Sequence, residues 1–423
     1  MILIKNGKLY GMTAETADIL IDGGKIAEVD EKIPETGEMT VIDATGLVVA
    51  PGLVDMHVHF RDPGFEYKED ILSGADAAAA GGVTTCACMP NTMPAADNAE
   101  VLKYIVTKAK DAKAAVLPIG AVTVGQNGKE LTDFAALKAS GAVALSDDGY
   151  PLQSAAVARK AMQLALEHDL LIICHCEDAD LAEDHGVNEG LISRQLNLPG
   201  RPAVAEEIMV ARDVLLAREI GARIHIAHVS SAGSVDIIRR AKDAGVKVTA
   251  ETCPQYFSLT DDAVISKSSF ARVNPPLRTA RDVESIICGL SDGTIDAIAT
   301  DHAPHSAAEK SRPLPEALSG MIGLETSLAL ALTNLYHTGK MGIDEIIALM
   351  SVNPARILFQ GTGVRGQGLG DGEAADIVIF DPDRDWTVKP DEFKSKARNT
   401  PFSGMKLKGK VMYTISRGEV VYK

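Results

Sequence analysis

Six positions in the 423-residue sequence carry side chains of the kind that hold catalytic metal ions: His57, His59, an aspartate at 147 or 148, His175, His228 and Asp301. His57 and His59 are one residue apart, so on a strand both imidazoles point to the same side and can grip one ion. Four imidazoles and two carboxylates can fill two zinc coordination shells and still leave positions open for water. The chemistry this implies is hydrolytic, because such an ion lowers the pKa of its water to about 7 and polarises a carbonyl.

A His-x-His pair alone is weak, since two histidines on a strand can be packed polar or surface residues. The conjunction is stronger. All six positions fall at the ends of segments that read as strands, where buried charge is costly without a metal or a partner. His225, three residues before His228, should face the other side of its strand and reads as structural. His168, His185 and His337 lie in helical or loop segments and read as solvated. His302 should point away from Asp301, and Glu177 and Asp178 read as a carboxylate pair at a helix start.

The elements that must position these groups alternate between β-rich apolar segments and Ala/Leu/Lys/Glu-rich helical ones, the pattern of a parallel sheet with crossover helices. Eight strands are expected, at 53–60, 83–89, 115–121, 142–146, 170–176, 223–229, 246–252 and 295–300. Eight is a closure number for a barrel, and barrel enzymes gather their chemistry at the carboxyl ends of the strands. An open doubly wound sheet would usually carry a Gly-rich phosphate turn after its first strand, and DMHVHFRDPG is not one. The ends of the chain read differently, as short strands with hairpin signals at Gly23-Gly24 and Arg417-Gly418. The expected fold is therefore α/β, a (β/α)8 barrel over 51–357, with a small β-sandwich domain formed by the terminal segments 1–50 and 358–423.

Composition narrows the partners. With 42 Lys+Arg against 58 Asp+Glu the net charge is −16, and no basic run would track a phosphate backbone, so nucleic acid is not expected. No apolar stretch approaches the roughly 20 residues needed to span a bilayer, and the first residues lack a signal-peptide layout, so a cytoplasmic protein is expected. Cys86/Cys88 and Cys174/Cys176 lie two apart within apolar runs and read as reduced core residues.

At this point the motifs resemble a known family. DMHVHFRDPG (55–64), MPNT (89–92), RVNPPLR (272–278) and TDHAPH (300–305) followed by Lys310 are similar to the signatures of dihydroorotases, within the amidohydrolase superfamily. The resemblance spans essentially the whole chain and is to the bacterial, free-standing, zinc-dependent form. It implies reversible hydrolysis of the cyclic amide dihydroorotate to N-carbamoyl-aspartate in pyrimidine biosynthesis, with one or two Zn2+ ions per subunit and a homodimeric assembly. It further implies that His57 and His59 bind one ion, that His175 and His228 bind the other, and that Asp301 is the catalytic proton shuttle beside the metal.

Relatives such as hydantoinases place a carboxylated lysine at the end of strand four, whereas ALSDDGY (144–150) offers only aspartates. Spacing does not choose between Asp147 and Asp148; the resemblance favours Asp148. Arg61, with its planar donor fork, is the residue type suited to a substrate carboxylate. The family likeness adds Asn91, Asn274, His305 and the backbone of Ser319-Gly320 as substrate contacts. The stretch 305–320 is a candidate active-site loop, within which Lys310 reads as solvent-exposed. Two rival readings are another cyclic amidase of hydantoinase or allantoinase type, and a non-catalytic relative kept as a partner protein.

Overall fold

In a computed structural model, which describes residues 1–12, 16–182, 186–360 and 368–423, the chain begins with five short strands. These are β1 (Ile2–Leu9), β2 (Ala17–Asp22), β3 (Lys25–Asp30), β4 (Thr40–Asp43) and β5 (Val48–Pro51). The β2–β3 hairpin turns at Gly23 and Gly24, whose φ values of 55° and 79° suit a two-residue turn with both central residues left-handed.

A second sheet follows. It comprises β6 (Leu53–Val58), β7 (Val83–Cys88), β8 (Ala115–Ala121), β9 (Ala144–Ser146), β10 (Ile172–Cys174), β11 (Ile224–Ile226), β12 (Val248–Thr252) and β13 (Ala297–Ile298), each parallel to its neighbour in chain order. The eight expected strands are all present, trimmed by one to three residues at several ends. Between β13 and β6 the barrel closes through a bridge from Val58 to His302 and a hydrogen bond from Thr300 N–H to Asp55 at 3.2 Å. Crossover helices such as Ala155–Glu167, Val204–Ile220 and Ala232–Asp243 pack outside.

Two apolar layers hold the barrel. Val54, Met56, Ala87, Ile119, Ile173 and Ala297 fill its inside, while Leu53, Cys86, Ile172, Ile224 and Val248 meet the helices outside. Cys86, Cys88, Cys174 and Cys176 are all buried in the outer layer, as packing residues should be.

The chain then returns to the first sheet through β14 (Ile377–Thr387), β15 (Lys406–Ser416) and β16 (Glu419–Tyr422). β14 pairs antiparallel with β5, placing Ile377 opposite Pro51, so the two ends of the chain share one sheet in the order β16-β15-β14-β5-β1-β2-β3, with β4 beside β1. One cluster including Ile4, Ile19, Ile26, Val49, Ile377 and Ile415 unites its two halves. The β15–β16 turn is at Arg417-Gly418, again with both φ values positive.

Candidate active site

Each expected ligand sits where a barrel strand ends and the chain turns. His57 closes β6 and His59 follows it; Asp148 lies just past β9, His175 past β10, His228 past β11 and Asp301 past β13. His228 and Asp301 adopt left-handed backbone, at φ 36° and 48°, which is uncommon for residues with a side chain and characteristic of functional sites. All six are buried and converge on one point.

Asp148 is the hub. Its Oδ1 is 3.4 Å from His57 Nε2, 3.1 Å from His175 Nδ1 and 3.3 Å from His228 Nε2, and its Oδ2 is 3.4 Å from His59 Nε2. Asp301 Oδ1 completes the other side, 3.0 Å from His59 Nε2 and 3.6 Å from His57 Nε2. Among the described residues two groups of side-chain atoms have metal-site spacing, His57 with His59 and Asp301, and His57 with Asp148 and His228. Asp147 is turned away. Its carboxylate accepts Val122 N–H at 2.8 Å and Thr123 N–H at 3.1 Å, and also the Thr123 hydroxyl, so only Asp148 faces the cluster.

These side chains fit divalent cations. His57 Nδ1 lies 2.6 Å from Glu251 Oε1, which fixes its proton there and leaves Nε2 as a bare lone pair; that Nε2 is buried with no hydrogen-bond partner. His59 is set the same way, its Nδ1 2.8 Å from Asn91 Oδ1. Nδ1 of His175 and Nε2 of His228 lie 2.7 Å apart, within hydrogen-bond distance. Without an ion the cluster must share protons instead. Burial opposes charge on His57, but Asp148 and Glu251 outweigh it and hold the imidazole pKa well above its ordinary range. Burial likewise opposes charge on Asp148, and His57, His175 and His228 outweigh it in turn.

Around this centre the other expected residues gather. Arg61, with φ 61°, is half-buried; its Nε has no hydrogen-bond partner, and burial lowers the guanidinium pKa against the attraction of Asp301 and Asp148. Asn274 faces His175, its Nδ2 3.4 Å from Nε2, and accepts a hydrogen bond from Arg201. His305 is buried, donates from Nε2 to the Ser319 carbonyl at 2.8 Å, and keeps Nδ1 unpartnered; burial beside Arg61 and Lys68 pushes its pKa down to about 2. The Gly320 amide donates to the Arg272 carbonyl at 2.9 Å and its carbonyl accepts from Lys310 and Asn399, so much of this backbone is already engaged.

Several readings need correction. Lys310 is not solvent-exposed: only 1% accessible, it donates to the carbonyls of Leu318 and Gly320 at 2.9 Å each and of Arg272 at 3.3 Å, and burial lowers its pKa to about 7. Three converging carbonyls compensate the buried ammonium, and residues 305–320 fold around it. Glu177 does not open a helix; it pairs with Arg201 at 2.8 Å, while Asp178 caps a turn by accepting the Asp180 and Leu181 amides. His337 is half-buried and donates to the Pro382 carbonyl at 2.8 Å rather than standing in solvent. His168 is also half-buried, and His185 lies outside the described residues. His302 does point away from the cluster, accepting the Gly323 amide at 3.2 Å and facing Glu69 at 3.5 Å.

Two contributors escaped the sequence reading. Glu251, on β12, joins His57 to His225, whose Nε2 lies 3.3 Å from its other oxygen. His225 is thus structural in the sense of backing the Glu251–His57 pair, and it lies inside the barrel rather than behind it. Asn399, from beyond the barrel, reaches the loop that carries His305. A lone acid on a buried strand was the available signal for Glu251; nothing local marks Asn399.

Comparison with known proteins points to one family and one fold. A family model described as dihydroorotase-like matches residues 46–234. A dihydroorotase of Thermoanaerobacter sp. (strain X514) is 50% identical over 426 residues, covering 100% of this chain and 97% of the relative. One from Ruminiclostridium cellulolyticum is 50% identical over 424 residues, covering 99% and 98%. Among solved structures, the L-hydantoinase of Arthrobacter aurescens superposes with a TM-score of 0.89 at 26% identity, covering 100% of this chain and 96% of that one.

Proposed function

The chain belongs to the dihydroorotase family, and on that premise we propose that the Asp148–Asp301 cluster is where it opens and closes the dihydroorotate ring. The reaction is the reversible hydrolysis of that cyclic amide to N-carbamoyl-aspartate, a step of pyrimidine biosynthesis. The single observation that carries the assignment is whole-chain identity of 50% to dihydroorotases. The likeness to the solved hydantoinase is at 26% identity, so the alternative of a hydantoinase- or allantoinase-type amidase is not favoured.

His57, His59, Asp148, His175, His228 and Asp301 would hold the metal, which we read as zinc, one or two ions per subunit. When bound, such an ion supplies a water of pKa about 7 and polarises the ring carbonyl. The protein's own groups do the rest. Asp301, whose carboxylate faces the cluster, takes the proton of the attacking water and delivers it to the leaving ring nitrogen; ring closure reverses the transfer. Arg61 offers its donor fork to the carboxylate outside the ring, which suits a guanidinium Nε without a hydrogen-bond partner in the protein. Asn274, Asn91, His305 and the Ser319-Gly320 backbone would orient the ring. His305, uncharged at neutral pH, can accept from a ring N–H or donate through its other tautomer.

The same family premise carries the proposals of a homodimer and a cytoplasmic location. Among the described residues no helix is long and apolar enough to cross a membrane. Substrate choice is tested by comparing turnover of dihydroorotate, hydantoin and allantoin by one preparation. Dihydroorotate should be strongly preferred, and faster hydantoin cleavage would overturn the assignment.

A further inference from the structure

We propose that Asn399, from the C-terminal segment outside the barrel, is a positioning residue for the substrate-binding loop. Its side chain accepts the His305 amide at 3.1 Å and donates to the carbonyls of Ala303 and Gly320 at 3.0 and 3.1 Å. Its own carbonyl accepts the Ile322 amide at 2.9 Å. One residue, 2% accessible, therefore ties together both ends of the loop that runs from His305 to Ser319 and Gly320. The amide orientation is unambiguous, because one oxygen meets an N–H and one nitrogen meets two carbonyls.

The tether is itself held. The carboxylate of Glu325 accepts the amides of Lys394 at 2.8 Å and Ser395 at 3.1 Å, and Glu69 accepts the Lys396 amide at 3.2 Å together with the Ser395 hydroxyl. The approach is also tight. At Gly320, where φ is +136°, an added Cβ would sit 2.8 Å from the Ala303 side chain and 3.0 Å from His305 Nε2. A shift of about 1 Å between the two loop ends would stretch the 2.8 Å His305–Ser319 contact beyond hydrogen-bond length and release the imidazole. Lys310, bonded to the same Gly320 carbonyl from within the loop, cannot supply this link, because it does not reach Ala303 or the His305 amide.

The inference rests on His305 being a substrate contact, and the test separates the two. Asn399→Ala, the isosteric Asn399→Asp, His305→Ala and the double variant Asn399→Ala/His305→Ala are assayed on dihydroorotate. Phe402→Leu, a buried change in the same segment that leaves these bonds alone, controls for general loosening. Losing three buried hydrogen bonds in Asn399→Ala, or the two donated ones in Asn399→Asp, should raise KM about tenfold or more in both variants, with kcat and bound metal little changed. Phe402→Leu should leave KM alone, and Asn399→Ala should add nothing in the His305→Ala background. Should Asn399→Ala not fold, Asn399→Asp, which keeps volume and acceptor, decides. A raised KM in His305→Ala with wild-type KM in the Asn399 variants, or an equal rise in Phe402→Leu, would overturn the proposal. Wild-type KM in His305→Ala would instead refute the substrate role of His305.

Discussion

Glu251 Oε1 meets His57 Nδ1 at 2.6 Å, fully buried, and the opposite nitrogen of that imidazole points into the cluster with no hydrogen-bond partner. A carboxylate behind a ligand imidazole fixes its tautomer and raises its basicity. Glu251→Ala should therefore weaken metal binding by about 10- to 100-fold, though the carboxylate itself faces away from the cluster. Competition with a chelator at fixed pH measures this. Unchanged affinity would mean that His57 is not a ligand.

The two adjacent aspartates should part company. Asp148→Asn is expected to lower bound metal, because Asp148 alone reaches all four imidazoles. Asp147→Asn should leave metal content intact and cost about 1–3 kcal/mol of stability, through the amides and hydroxyl that Asp147 accepts. Elemental analysis and thermal unfolding of the two variants make the comparison.

Arg61→Met should raise the dihydroorotate KM by about 10- to 100-fold, the scale of a charge-assisted hydrogen bond of about 1.5–3 kcal/mol. It should not lower the melting temperature, because the buried Nε has no protein partner to lose. A large loss of stability with KM unchanged would assign Arg61 a structural role instead.

Glu325 gives stability a pH dependence of known sign. Burial, against the amides of Lys394 and Ser395, raises its pKa from 4.5 to about 7. Between those values the folded state holds a proton that the unfolded state has released, so stability from this group falls as pH rises through the window. Glu325→Gln removes the effect. Its melting temperature should gain on the wild type between pH 4.5 and pH 8, by the equivalent of about 1–3 kcal/mol.

Much of this was legible in the residues, and the reasons are physical. Strand β8 matches its expected span because AVLPIGA lies within an apolar run bounded by Lys113 and Thr123, and both two-residue hairpins were announced by glycines that left-handed turns require. The His/Asp cluster was visible because imidazoles and carboxylates at strand ends are chemically conspicuous. What could not be seen was pairing between distant segments. The burial of Lys310 depends on three carbonyls gathered by folding, the partner of Glu177 is an arginine from another loop, and Asn399 acts from beyond the barrel. Each is a polar residue that local pattern assigns to solvent, and only tertiary contact makes it internal.

The central claim is that this cluster opens the dihydroorotate ring with Asp301 carrying the proton. Its most direct test is ring opening, followed by ultraviolet absorbance near the amide band, by the wild type and by Asp301→Ala, with bound zinc measured in both. The account predicts wild-type turnover that is lost in Asp301→Ala while zinc largely persists. A fully zinc-loaded wild type that does not open dihydroorotate, or an Asp301→Ala variant that retains wild-type turnover, would contradict it.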